Sequence, residues 1–119
     1  MMNILVVEDS EDVRKIICQS LDGYEMLEAQ DGIEALTLLT AKRPGLALID
    51  VLLPGSLSGL AIAAKAKSLG VPVILMTGGD MRDVDLAGFT CMRKPFSLAV
   101  LLEHIEGALG RSRLSGRVA

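Results

Sequence analysis

Aromatic residues are scarce in this chain of 119: one Tyr, two Phe and no Trp. A core with so few large rings has to be filled by Leu, Ile, Val, Ala and Met, which suits helices packed on a strand layer. Cysteine is as rare. Cys18 and Cys91 show neither a metal-ligand spacing nor a disulfide framework, and Cys18 falls within a helical apolar pattern, as a small core residue would. Strong charge of either sign is missing too. A net charge of −3 argues against a nucleic-acid-binding surface. The one basic concentration, Arg111, Arg113 and Arg117, is spaced among Ser and Gly and reads as a flexible, solvated tail over 111–119. No apolar run approaches the roughly 20 residues of a membrane span, and Met1-Met2-Asn3 leads into a strand without a signal-like region. These absences predict a cytoplasmic protein with neither nucleic acid nor membrane as partner. The length allows one domain, over 1–110, and not two.

What is present is an alternation of short apolar runs with segments of helical period, the pattern of a parallel sheet with crossover helices. Ile4 to Val7 is continuously apolar, as a strand buried on both faces should be. Glu8-Asp9-Ser10 ends it, and Ser10 is placed to cap a helix with Val13, Ile16, Ile17 and Leu21 inward. Tyr24 to Ala29 is a second strand. Asp31-Gly32 opens a second helix with Ala35, Leu36, Leu38 and Leu39 inward. Leu46 to Ile49 is a third strand running into Asp50, followed by the loop Pro54-Gly55-Ser56-Leu57-Ser58-Gly59 and an alanine-rich helix from Leu60 to Leu69. Val73 to Met76 is a fourth strand, ending at Thr77. Residues 80 to 86 allow barely two turns of helix. A fifth strand over Thr90 to Arg93 ends at Lys94-Pro95-Phe96. Ser97 caps a last helix striped by Leu98, Leu101, Leu102, Ile105 and Leu109, and Gly110 is expected to end it.

Four strands thus finish on polar chemistry: Glu8-Asp9, Asp50, Thr77 and Lys94. In open parallel sheets the carboxyl ends of the strands border one crevice where ligands bind, so residues distant in sequence converge there. Three carboxylates together repel unless a cation neutralises them. With no His or Cys nearby, a hard, oxygen-seeking ion such as Mg²⁺ fits better than zinc. Adding a lysine and a hydroxyl makes a site for a phosphoryl group, and a central carboxylate can itself be the nucleophile. Each fragment alone is an ordinary loop or helix start; their order and spacing over the whole chain give them meaning.

In that order and spacing the chain resembles the receiver domain of bacterial two-component response regulators. Ile4 to Ser10 is similar to the family's first strand and acidic pair, Ile49 to Gly55 to its phosphorylation segment, Val73 to Gly78 to its hydroxyl-bearing fourth strand, and Lys94-Pro95-Phe96 to its lysine motif. The resemblance implies a doubly wound, flavodoxin-like five-stranded sheet of order 2-1-3-4-5, here with a shortened fourth helix. It implies Asp50 as phosphoacceptor, with Thr77 and Lys94 contacting the phosphoryl group. Mg²⁺ would be held by Glu8, Asp9, Asp50 and the main-chain carbonyl of Leu52, and the Lys94-Pro95 bond would be cis. The implied partners are a histidine kinase or histidine phosphotransfer protein and a downstream protein target, with the chain a monomer or weak dimer. Such a chain is no enzyme beyond its own phosphorylation and dephosphorylation. The alternatives are an interaction module that does not depend on phosphorylation, or a phosphate sink.

Three departures from the family pattern bear on output. The loop after Asp50 is one residue longer than the commoner form and is similar to receivers associated with hybrid sensor kinases. The position three before Lys94, usually aromatic, is Cys91, and the nearby aromatic is Phe89. The stretch from 78 to 93 is short for the family, and the shortfall falls on the fourth helix. Readout is therefore expected through the first or last helix or the loops around the site. Leu52 and Gly79, at positions that tune water access in this family, cannot orient a water through their side chains. A slow to intermediate self-dephosphorylation is expected, and a phosphoryl lifetime of only seconds at neutral pH would contradict it.

Overall fold

A computed structural model describes residues 2–78 and 86–118. Each of the three central strands carries an unbroken apolar run and stops at, or just before, the next polar residue. β1 (Asn3–Val7), β2 (Glu25–Ala29), β3 (Leu46–Asp50), β4 (Val73–Thr77) and β5 (Thr90–Arg93) form one sheet of order β2-β1-β3-β4-β5. All four pairings are parallel. The parallel sheet read from the alternation of strands and helices is present, in the doubly wound order that the resemblance implies.

Side chains alternate across the sheet, so the central strands feed two cores. Ile4, Val6, Leu46, Leu48, Ile74 and Met76 face one side, where α1 (Glu11–Ser20) and α4 (Leu98–Val118) cover them with Ile17, Leu101 and Ile105. Leu5, Val7, Ala47, Ile49 and Leu75 face the other, under α2 (Gly32–Lys42) and α3 (Gly59–Ser68). Burial of each large aliphatic side chain contributes about 1.5–3 kcal/mol, so these two layers are the main stabilising term. All four described helices start on a side-chain cap that accepts a backbone N–H: Ser10 from Val13, Asp31 from Glu34, Ser58 from Ala61 and Ser97 from Val100. Each cap directly follows a strand end or loop at the carboxyl edge, so capping also fixes where that edge turns.

Several expectations need correction. Ile16 is not inward but 63% exposed, because Ile17 and Leu21 occupy the sheet-facing line of α1 and Ile16 lies about 100° around from Ile17. Leu98, in the first turn of α4, is 49% exposed. Cys18 is half-buried at the margin of the core rather than within it. Gly110 does not end the last helix: the backbone stays helical through Val118. A glycine inside a helix costs only about 1 kcal/mol against alanine, and no proline follows to stop the helix. Residues 80 to 85 of the expected short fourth helix, together with Gly79, lie outside the described residues. No helix among the described residues is long and apolar enough to cross a membrane.

One glycine ties the fold to the carboxyl edge. A Cβ placed on Gly59 would lie 2.0 Å from the Asp50 carbonyl oxygen and 2.8 Å from the Val51 Cα, both backbone atoms that cannot swing aside. The first residue of α3 therefore rests directly on the peptide leaving β3. Gly59→Ala is expected to destabilise the chain by about 2–3 kcal/mol or more, as overpacking against backbone does. A chemical-denaturation midpoint equal to the parent's would contradict this contact.

Candidate functional site

The carboxyl edge of the sheet brings the sequence-derived residues together. Glu8 follows β1, Asp50 ends β3, Thr77 ends β4, and Lys94 follows β5. The ladder continues past the formal strand ends: Val51 N–H donates to Met76 O at 2.9 Å and Lys94 N–H to Thr77 O at 2.7 Å. That last bond sets Lys94 beside Thr77 and turns its side chain loose toward β3 and β1.

Lys94 Nζ donates to Asp50 Oδ2 at 2.8 Å and to Glu8 Oε1 at 2.5 Å. Both carboxylates are nearly sealed from solvent, with Glu8 1% and Asp50 4% exposed. Their remaining oxygens are also occupied: Asp50 Oδ1 accepts Leu52 N–H at 2.9 Å, and Glu8 Oε2 accepts Ser10 N–H at 3.1 Å. Asp9 stands between them at the solvent side. Oxygens of Glu8, Asp9 and Asp50 lie within 4.8 Å of one another. Thr77 is buried at the same edge.

The electrostatics follow from this geometry. Burial pushes the Glu8 carboxyl above its usual range, and the neighbouring Asp9 and Asp50 push the same way, against the opposing pull of Lys94 and the Ser10 amide. Burial alone would lower the Lys94 ammonium, but its bonds to Asp50 and Glu8 outweigh that and hold it above the ordinary lysine value. Lys94 is therefore charged at neutral pH. Three carboxylates against one ammonium leave two negative charges, the charge of one divalent cation. The donor set is all oxygen, close enough to share one ion, and open on the Asp9 side. These residues fit a hard cation.

Some site features lay beyond the sequence reading. The resemblance implies Lys94 at the phosphoryl group of Asp50; nothing in the sequence signals its hold on Glu8 as well. Nor was Arg14, which donates from Nη1 to the Glu8 carbonyl at 2.8 Å and from Nε to Glu28 at 3.0 Å. Its place at the end of the first turn of α1, five positions after Asp9, is the signal the sequence offers. The Lys94-Pro95 bond is cis, in line with the resemblance. Phe89 does not stand in for the missing switch aromatic. It precedes β5 at the opposite end of the sheet from Lys94, with Lys67 Nζ 5.8 Å from its ring centre. Four residues of strand, about 13 Å, separate it from Arg93, which pairs with Thr77. Cys91 fills the aromatic position, registered with Leu75 and half-buried; burial raises its thiol, so it stays protonated at neutral pH.

This sheet edge gathers an acidic trio, two of its members buried, around one lysine. Residues 4–106 match the family model of the response regulator receiver domain, and the chain belongs to that family. It is 34% identical to the response regulator MprA of Mycobacterium avium over 94% of this chain and 53% of that protein. The chain thus spans about half the length of the curated relatives it matches. Among solved structures it is similar to a response regulator receiver domain protein from Clostridium thermocellum, with TM-score 0.87, 28% identity, and coverage of 96% of this chain and 98% of that one. It is also similar to the receiver domain of a signal transduction histidine kinase from Syntrophus aciditrophicus, with TM-score 0.82, 33% identity, and coverage of 92% and 91%.

A divalent cation should relieve the charge excess and stabilise the fold. At tenfold over its dissociation constant, Mg²⁺ is expected to contribute about 1.4 kcal/mol. Because the Glu8 carboxyl is raised, its anionic form is the one that penalises the cation-free fold, and that form disappears as pH falls through the raised value. The stabilisation by Mg²⁺ should therefore be full near neutral pH and smaller near pH 5. Thermal melts at both pH values check this; an equal increment at the two, or none near neutrality, would contradict it.

Proposed function

We propose that this chain accepts a phosphoryl group on Asp50 from a phosphohistidine of a histidine kinase or histidine phosphotransfer protein, in a Mg²⁺-dependent reaction, and signals through protein contacts. The observation that carries this reading is the position of Lys94, bonded at once to Glu8 and Asp50 inside the acidic trio. In the transfer, an Asp50 carboxylate oxygen bonds to phosphorus as the phosphorus–nitrogen bond breaks and the imidazole leaves. Leu52 N–H and Lys94 hold the Asp50 carboxylate in one orientation for that attack. Lys94 then pairs with a phosphoryl oxygen, and the Thr77 hydroxyl donates a hydrogen bond to another. Glu8, Asp9, Asp50 and the Leu52 carbonyl would hold Mg²⁺, whose charge would offset that of the phosphoryl group. The chain catalyses nothing beyond its own phosphorylation and dephosphorylation.

The donor's docking surface is supported by an apolar groove beside the lysine. Val13, Ile16, Ile17, Gly78, Pro95 and Phe96 line it together with Lys94. This gives exposed Ile16 a purpose: an apolar side chain at the rim of the reaction crevice suits a helical face of the phosphohistidine protein. Output through the first or last helix fits the same surface, since the aromatic lever is absent. The site works in the cytoplasm, where kinase phosphodonors are, and the long loop after Asp50 suits a role with, or within, a hybrid kinase. A phosphorylation-independent interaction module is the second reading, and the intact trio with Thr77 and Lys94 speaks against it.

Two donors separate these ideas. With acetyl phosphate and Mg²⁺, intact mass should show a gain of one phosphoryl group in the parent and none in Asp50→Asn; no gain in either favours the interaction module. Ile16→Arg should keep its gain from acetyl phosphate while losing at least about tenfold in rate from a phosphohistidine protein donor. Equal losses with both donors would remove the groove from the reading.

A further inference from the structure

Arg14 lies outside the set of residues that would touch cation or phosphoryl group, yet its bonds are built around Asp9. The residue is 13% exposed at its side chain, at the end of the first turn of α1. Nε is anchored on Glu28 of β2, and Nη1 reaches the main-chain carbonyl of Glu8. The N–H of Glu8 is held by Ala29 O at 3.0 Å, also on β2. On the far side of Asp9, Ser10 N–H is held by Glu8 Oε2. Both peptides that flank Asp9 are therefore pinned, the first through its carbonyl by Arg14, the second through its amide by Glu8. Asp9 itself is the exposed member of the acidic trio and owes its place to those two peptides.

We infer that Arg14, braced by Glu28, is a positioning residue for the cation site: it fixes the Glu8–Asp9 peptide so that the Asp9 carboxylate meets those of Glu8 and Asp50. The inference rests on the cation-dependent reading above. It carries a distinctive sign. A guanidinium within hydrogen-bonding distance of the Glu8 carbonyl repels a divalent cation, so charge alone predicts that removing Arg14 tightens Mg²⁺ binding. Positioning predicts the reverse. Loss of a supporting hydrogen bond around a metal site weakens affinity by about 10- to 100-fold.

The test is Mg²⁺ binding to the full chain, followed by calorimetric titration and by amide shifts of residues 8–10, with Arg14→Met, Arg14→Lys and Glu28→Gln beside the parent. Glu28 is 45% exposed, so Glu28→Gln leaves the core untouched and gives a folded variant that still carries the Arg14 charge. Expected is a dissociation constant raised about tenfold or more in Arg14→Met, and by a smaller factor in Arg14→Lys and Glu28→Gln. Binding as tight as the parent's, or tighter, in Arg14→Met and Glu28→Gln overturns the inference while leaving the cation site standing. A parent that binds no Mg²⁺ overturns both.

Discussion

The contact between Lys94 and the two buried carboxylates, Glu8 and Asp50, is the constraint on which the rest of the site depends. Burying two like charges side by side is unfavourable unless a positive group lies between them, and leaving one unpaired costs several kcal/mol. Lys94 supplies that group from a strand two places away from β3 and three from β1. It can reach only because the sheet order places β3 between β1 and β4, and because the ladder runs one bond past Thr77. Sheet topology and site electrostatics are therefore one requirement. The apolar faces hold the strands in register, and the register sets three chain segments against one ammonium.

The same contact explains why the site can respond to a ligand. Lys94 balances one negative charge of three, so the trio remains short of neutral. A divalent cation would complete it, and the phosphoryl group proposed on Asp50 would reopen the competition for the lysine. Such a site is poised to change its hydrogen bonds when its charge changes, which is the physical content of a switch. What transmits the change is unusual here. Cys91 is small, neutral and half-buried where an aromatic ring would serve as the lever, and Phe89 is committed to Lys67 at the other end of the sheet. The elements nearest to Lys94 are the loop to α4 and the exposed part of α1, where Ile16 and Phe96 border one groove.

Much of this was legible in the sequence because strand and cap signals are local. Continuous apolar runs marked the strands that are buried on both faces, and Ser10 and Asp31 marked helix starts. The polar residues at the strand ends gave the site, since topology forces those ends together. Less legible were features set by packing between elements. Ile16 reads as core from its period, and only the competition with Ile17 and Leu21 for the sheet-facing line shows it turned outward. Gly110 reads as a helix stop, but the propensity of one glycine is too weak to end a helix by itself. The double bond of Lys94 and the reach of Arg14 to a main-chain carbonyl depend on distances that no spacing in the sequence encodes.

A structure of the chain crystallised with Mg²⁺ and beryllofluoride, a mimic of the phosphoryl group, tests the role of Lys94 most directly. The beryllium should be bonded to an Asp50 oxygen, with Lys94 Nζ moved from Glu8 to a fluoride and the metal shared by Glu8, Asp9 and Asp50. Lys94 still bridging Glu8 and Asp50, with no beryllofluoride on Asp50 at saturating concentration, would contradict a phospho-accepting site.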